Sequence, residues 1–334
     1  MKHNINVTIL MILIYLCAQI IGLVIISQYV NIEESSRTGK TVSTEIASVS
    51  PGGEPPQVDS KDIWKMVLGI LFAVLIGTAL ILLLIKLRMP NLIKVWLFIA
   101  VAASLSKAFF PFIYNMIQKF LADMVPFSIY ITIGLAILLT FFKIYRTNIY
   151  IHNITEIFLY GGLASYIVPV LNLFWAAVLL ILISIYDMYA VWKSKHMVKL
   201  AKFQSEANSF AGLLIPYEKT KTYTKKKLSA KPIAKKQESK FQQTSYTKVS
   251  KDEKVEESGT KKAILGGGDI AFPLIFSGAL MATYGNLFMP LIVTATTTGA
   301  LAALLIFGKS NRFYPAMPFI SAGAFLGYGI VLII

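Results

Sequence analysis

Long apolar runs, separated by short polar breaks, dominate this chain. Residues 4–32 carry no charge. A helix of about 20 mainly apolar residues crosses a bilayer core, so this run predicts a first span. It is longer than a signal-peptide core of roughly 7–15 residues, which predicts a retained helix. Further runs predict spans at 66–85, 95–118 and 124–142. Residues 149–192 form a stretch of 44. That is too long for one crossing of a core ~30 Å thick at ~1.5 Å per residue. Pro169 and Asn172 fall near its middle and predict a turn, hence a helical hairpin. The 45 residues of 263–307, with Tyr284-Gly285-Asn286 near the middle, predict a second hairpin. Residues 313–334 predict a last span. The expected fold class is an all-α polytopic membrane protein with nine transmembrane helices, six in 1–192 and three in 263–334.

Two polar stretches interrupt this plan. Residues 31–62 hold six acids and Pro51-Gly52-Gly53-Glu54-Pro55-Pro56, the pattern of a flexible loop. Residues 193–262 are rich in Lys, Ser, Thr and Gln. From Glu218 onward too few apolar side chains remain to offset chain entropy, which predicts disorder. Their first part differs: 196–217 sets Met197, Leu200, Ala201, Phe210, Leu213 and Leu214 among polar residues, predicting an interfacial amphipathic helix.

Composition agrees with a membrane protein. Hydrophobic residues reach 56% and charged ones only 15%, against about 45–50% and about 25% in soluble globular chains. Mean hydropathy is +0.65. Yet the net charge is +15, which in a soluble chain would suggest nucleic acid. The 18 lysines and 7 acids of residues 193–262 carry most of it. Outside that loop, eight basic residues fall on its side of the nine-span plan and five on the other. The positive-inside rule then puts the N-terminus in the cytoplasm and the C-terminus and loop 31–62 outside. The basic loop could meet anionic headgroups at roughly 1 kcal/mol per basic residue near the surface, and no nucleic-acid partner is needed. Cys17 stands alone, so no disulfide forms within the chain. His3, His152 and His196 match no ligand spacing, so neither metal nor cofactor is expected.

Among the acids, Glu156, Asp187 and Asp269 fall inside apolar spans. A carboxylate there costs at least ~2.5–3.5 kcal/mol on insertion scales, so it calls for a reason. Asp187 follows Tyr186 near the end of span six. Asp269 ends Gly266-Gly267-Gly268-Asp269 near the start of span seven. Alone, Asp269 reads as a helix N-cap. A helix from Ile270 to Tyr284 would then measure only ~22 Å, whereas a start at Ala263 gives ~33 Å. The length therefore predicts a helix from Ala263 with Asp269 inside the membrane boundary. Topology places both aspartates near the cytoplasmic ends of consecutive antiparallel spans, where they can face each other. Gly266 and Gly268 carry no side chain to block close helix approach. Two close carboxylates titrate as a unit, with one keeping a proton. Such a pair can deprotonate water with one member and protonate a carbonyl oxygen with the other. Pro315-Ala316-Met317-Pro318 opens span nine at the same end. Its prolines remove two amide donors, and irregular backbone at membrane depth survives only beside protein or water.

Tyr186-Asp187, Gly266-Gly267-Gly268-Asp269 and Pro315-Ala316-Met317-Pro318, in this order, resemble the presenilin and signal peptide peptidase family of intramembrane aspartyl proteases. That family carries a Tyr-Asp pair in span six, Gly-x-Gly-Asp in span seven and Pro-Ala-Leu near span nine. The stretch 200–217, with Asn208, Phe210 and Leu213-Leu214-Ile215-Pro216, also resembles the presenilin segment after span six. The resemblance implies Asp187 and Asp269 as the catalytic dyad. It further implies Gly266, Gly268, Pro315, Ala316, Met317 and Pro318 in substrate positioning, and Tyr186 in support. It implies transmembrane helices of other proteins as substrates, engaged by β-strand addition. Met317 stands where the family has leucine, a swap of similar volume. The basic loop carries no evident hydrophobic plug, so the likeness does not extend to self-cleavage there. The expected orientation is that of presenilins. The compact chain looks like the archaeal homologues, in a prokaryotic cell membrane and with no obligate partner subunits implied.

Lys107 and Glu156 are two further buried charges. They could pair or line a polar cavity. Buried charges also mark ion or substrate pathways, which keeps a transporter or leak channel as the alternative reading. The spans show no internal repeat of the transporter kind.

Overall fold

The computed structural model describes residues 5–56, 62–87, 89–146, 148–193, 212–225, 254–308 and 314–334. The longer helices are α1 (Ile5–Tyr29), α4 (Ile63–Lys86), α5 (Pro90–Phe120), α6 (Ser128–Tyr145), α7 (Ile149–Ile167), α8 (Leu173–Met188), α9 (Gly268–Tyr284), α10 (Phe288–Phe307) and α11 (Met317–Ile333). Two short ones, α2 (Ile32–Thr38) and α3 (Glu45–Val49), follow α1. Strands β1 (Gly212–Lys225) and β2 (Lys254–Gly266) pair as a two-stranded sheet. The chain divides into two units, one of 1–215 with 264–334 and one of 216–263. Among the described residues, six helices are long and apolar enough to cross a membrane. The 17-residue helices α9 and α11 are also apolar, and each extends ~26 Å at ~1.5 Å per residue.

In the first unit, α1 packs against α7, α9 and α10. Small residues permit this. A Cβ on Gly161 of α7 would stand 3.0 Å from the Gly22 Cα of α1, so the two backbones nearly touch. By contrast α4 buries only Ile63 and Val67, leaving Phe72, Ile76 and Leu83 on the outside. The two hairpin turns follow local chemistry. Val168-Pro169-Val170 forms a tight turn and Asn172 caps α8, accepting from the Trp175 amide at 3.0 Å. At the other hairpin Gly285, at φ +72°, ends α9 in the left-handed conformation that glycine favours. Asn286 then accepts from the Met289 amide at 3.0 Å.

Three local expectations change. Residues 31–56 fold rather than wander. Asn31 caps α2, accepting from the Glu34 amide at 3.2 Å, and Val30 bridges to Ser43. Lys107 anchors the rest of this loop. Its ammonium donates to Ser50 Oγ at 2.6 Å and to the Gly53 carbonyl at 3.1 Å. The Tyr29 and Tyr166 rings flank it at 4.8 and 4.9 Å. Pro111 explains the neighbouring bond: it lacks the amide that would hold the Lys107 carbonyl in the helix, and Tyr29 Oη donates there at 2.6 Å. Lys107→Met is expected to lower stability by about 1–3 kcal/mol and to open 44–56 to limited proteolysis. Unchanged protection of that loop would contradict this role.

Next, the expected interfacial helix over 196–217 meets a strand in its last six residues. The remainder, 196–211, lies outside the described residues. Leu213 and Ile215 are buried at alternate positions, as are Ala263 and Leu265, the period of a strand. The side chain of Asn153 on α7 pairs with both backbone groups of Leu214, at 2.8 and 3.1 Å. His152 Nε2 also lies 2.8 Å from the Gly212 carbonyl. Of the segment expected to be disordered from Glu218, the described ends are strand, to Lys225 and from Lys254, and 226–253 lies outside the described residues.

Finally, α9 begins at Gly268, not at Ala263. Residues 263–266 belong to β2, and the three glycines carry the chain from strand to helix. The helix expected from Ala263 is thus shorter by five residues, because strand pairing holds 263–266 extended.

Candidate functional site

Three helices converge on the residues that the motifs single out: α8, α9 and α11 pack against one another. Asp187 lies in the last turn of α8, buried, just before a π-helical turn at Tyr189–Lys193. Such turns are frequent at functional sites. The Met317 amide, at the start of α11, donates to Asp187 Oδ2 at 3.3 Å. This follows from the Pro-Ala-Met-Pro sequence. Pro315 and Pro318 have no amide, and the first amides of a helix lack a partner within it. Met317 therefore offers a free donor at the positive end of a helix, which favours an anion. One turn deeper, Ser184 and Ser321 share a hydrogen bond of 2.6 Å. Two polar ties thus hold α8 against α11. Pro315 and Met317 are buried, while Ala316 and Pro318 are half-buried. Tyr186 turns its hydroxyl to Thr78 Oγ1 on α4, at 3.3 Å.

Asp269 lies in the first turn of α9, half-buried, with Gly267 as the N-cap residue. It is inside the helix and is not its cap. Pro273 removes the amide that would otherwise reach the Asp269 carbonyl. Gln19 of α1 reaches the same turn, donating to the Ile270 carbonyl at 2.8 Å. Tyr15 and Tyr160 lie within electrostatic reach of Asp269.

The glycines sort differently from expectation. A Cβ on Gly268 would meet Phe272 at an ordinary 3.6 Å, and one on Gly266 would stand 3.2 Å from Asp269 Oδ2. Neither is pressed by a neighbouring helix. Gly267 is the crowded one: a Cβ there would stand 2.8 Å from Tyr160 Oη. The sequence motifs assign no role to Gly267 or Tyr160. Tyr160 is one helical turn from Glu156 on α7, so the signal was a spacing of four.

Glu156 is not paired with Lys107. Lys143 of α6 donates to its Oε1 and Tyr160 to its Oε2, with all three side chains buried. His152 Nε2 stands 3.7 Å from Oε1. Lys143 reads in sequence as a basic residue flanking a span end, which concealed this partner. Both buried charges are thus engaged in local contacts, and neither arrangement favours a transport pathway. Among the described residues, no group of three or more His, Cys, Asp or Glu could hold a metal ion.

The family described as signal-peptide peptidase, presenilin aspartyl protease matches residues 40–334. The chain belongs to that family. Its members are aspartyl peptide hydrolases, and this chain is accordingly an integral membrane protein and an enzyme of the intramembrane aspartyl protease class. Two solved structures of a presenilin family intramembrane aspartate protease, in different crystal forms, share its fold. One is 16% identical with a TM-score of 0.54, covering 97% of each chain. The other is 18% identical with a TM-score of 0.52, covering 96% of this chain and 95% of that one. No curated protein matches the sequence.

Proposed function

We propose that Asp187 and Asp269 are the catalytic dyad of this presenilin-family protease and that it hydrolyses peptide bonds within transmembrane helices of other proteins. The observation that carries this reading is the Met317 amide on Asp187. It joins two of the three motif segments directly, and the third opens the helix α9 packed against both. In the reaction, the ionised carboxylate takes a proton from water as the oxygen attacks the scissile carbonyl carbon. The neutral carboxyl gives its proton to the carbonyl oxygen. The tetrahedral intermediate then collapses, and the leaving nitrogen is protonated from the pair. Gly266, Gly268 and residues 315–318 border this site and would position an unwound substrate segment. Nine spans with a cytoplasmic N-terminus and an external C-terminus complete the proposal. The site then faces the cytoplasmic end, with the basic loop 193–262 beside anionic headgroups.

A tetrahedral mimic tests it. A single-span peptide with a hydroxyethylene group at the scissile position is expected to bind at least about 100-fold tighter than its parent peptide. Asp187→Asn and Asp269→Asn should each remove most of that advantage. Equal affinity for mimic and parent would contradict the dyad.

A further inference from the structure

We propose that Tyr160 is a positioning residue for the turn 266–269, held in place by the buried Lys143–Glu156 ion pair. This rests on Asp269 being a member of the catalytic dyad.

Glu156 is fully buried, and each of its carboxylate oxygens has a partner, Lys143 Nζ on one and Tyr160 Oη on the other. An exchange of a buried ion pair for apolar residues is often neutral or stabilising, so stability alone gives a weak reason for this one. What the pair does geometrically is clear. Lys143 fixes the Glu156 carboxylate, and the carboxylate fixes the rotation of the Tyr160 phenol. The phenol edge lies against Gly267, with Oη 2.8 Å and Cε1 2.9 Å from the place a Cβ would take. The tyrosine of α7 thus fills the volume that a side chain at position 267 would occupy.

Gly267 in turn governs Asp269. Its carbonyl accepts from the Ile270 amide at 3.2 Å and the Ala271 amide at 2.9 Å, which starts α9. Asp269 folds back so that Oδ2 lies 3.2 Å from the Cβ place of Gly266. A shift of the backbone at 267 therefore moves the first turn and the carboxylate together. Displacements of about 1 Å at a reacting group can cost about 10²-fold in rate.

Tyr160→Phe, Gly267→Ala and the double variant, reconstituted with a single-span substrate, test this. Rates are taken per active site titrated with the tetrahedral mimic, so that loss of folded enzyme does not count. Tyr160→Phe is expected to lower kcat about 10-fold with KM within about 2-fold, the pattern of a group acting on the chemical step. Gly267→Ala should lower kcat by about 10-fold or more. The double variant should fall well short of the product of the two losses, because a ring without Oη is no longer held by Glu156 and can turn away from the added methyl at 267. A wild-type kcat in Tyr160→Phe or Gly267→Ala, or losses that multiply in the double variant, would overturn the positioning role. Should Tyr160→Phe fail to fold, Gly267→Ala reads the same contact with the ion pair intact. Cleavage that survives Asp269→Asn would instead overturn the catalytic assignment. Cleavage lost in Asp269→Asn but unaffected by Tyr160→Phe would overturn the positioning role alone.

Discussion

Asp187→Asn is expected to lower kcat for peptide cleavage by about 10²–10⁴-fold, the range that general acid–base catalysis at a single group supplies, because one carboxyl of the pair can no longer exchange a proton. The substitution is close to isosteric. An asparagine oxygen can still accept from the Met317 amide, and Ser184 still bonds to Ser321. The tie between α8 and α11 should survive, so the enzyme should remain folded while losing proton transfer. Asp269→Asn should behave alike. The double variant should be little worse than either single one, since groups that act as a unit lose their effect together. A rate within about 10-fold of wild type in either single variant would remove that aspartate from the chemistry.

Glu156→Ala is expected to lower stability by about 3–5 kcal/mol, the usual cost of breaking a buried ion pair from one side. The reason lies in what remains. Lys143 would keep an ammonium buried at the α6–α7 contact with no carboxylate, and Tyr160 would lose its acceptor. The loss should show as a lower unfolding midpoint in detergent. Lys143→Met combined with Glu156→Leu should recover much of it, because the double change removes both charges. Cleavage should nonetheless stay reduced in that double variant, since Tyr160 has lost its anchor. Glu156→Ala with an unchanged midpoint would show that the buried pair is not needed for folding.

Whatever depends on short stretches of chain was legible in the sequence. The apolar runs read as helices because bilayer thickness demands about 20 apolar residues. Pro169, Asn172 and Gly285 read as turns because their backbone preferences are their own. Asp187 and Asp269 stood out because a carboxylate in an apolar run needs a reason.

Contacts between distant residues were not legible. Lys107 meets Ser50 across 57 positions, and that contact organises a loop whose composition suggested flexibility. Asn153 holds Leu214 across 61 positions. Strand pairing between 212–225 and 254–266 depends on a partner that local pattern does not reveal, so Leu213 and Leu214 read as one face of a helix. The start of α9 was misread for the same reason, because pairing keeps 263–266 extended. Within the site, the Met317 donor was hidden by its neighbours. Two prolines signalled missing amides, and of the two amides left between them that of Met317 reaches Asp187.

Cleavage of a single-span substrate in proteoliposomes made in ¹⁸O-labelled water tests the assignment of the dyad, with products read by mass spectrometry. Wild type is expected to cut within the transmembrane segment and to place one solvent oxygen in the new C-terminus. No such products are expected from Asp187→Asn or Asp269→Asn. Absence of cleavage by wild type, cuts confined to segments outside the membrane, or the same products from both asparagine variants would contradict it.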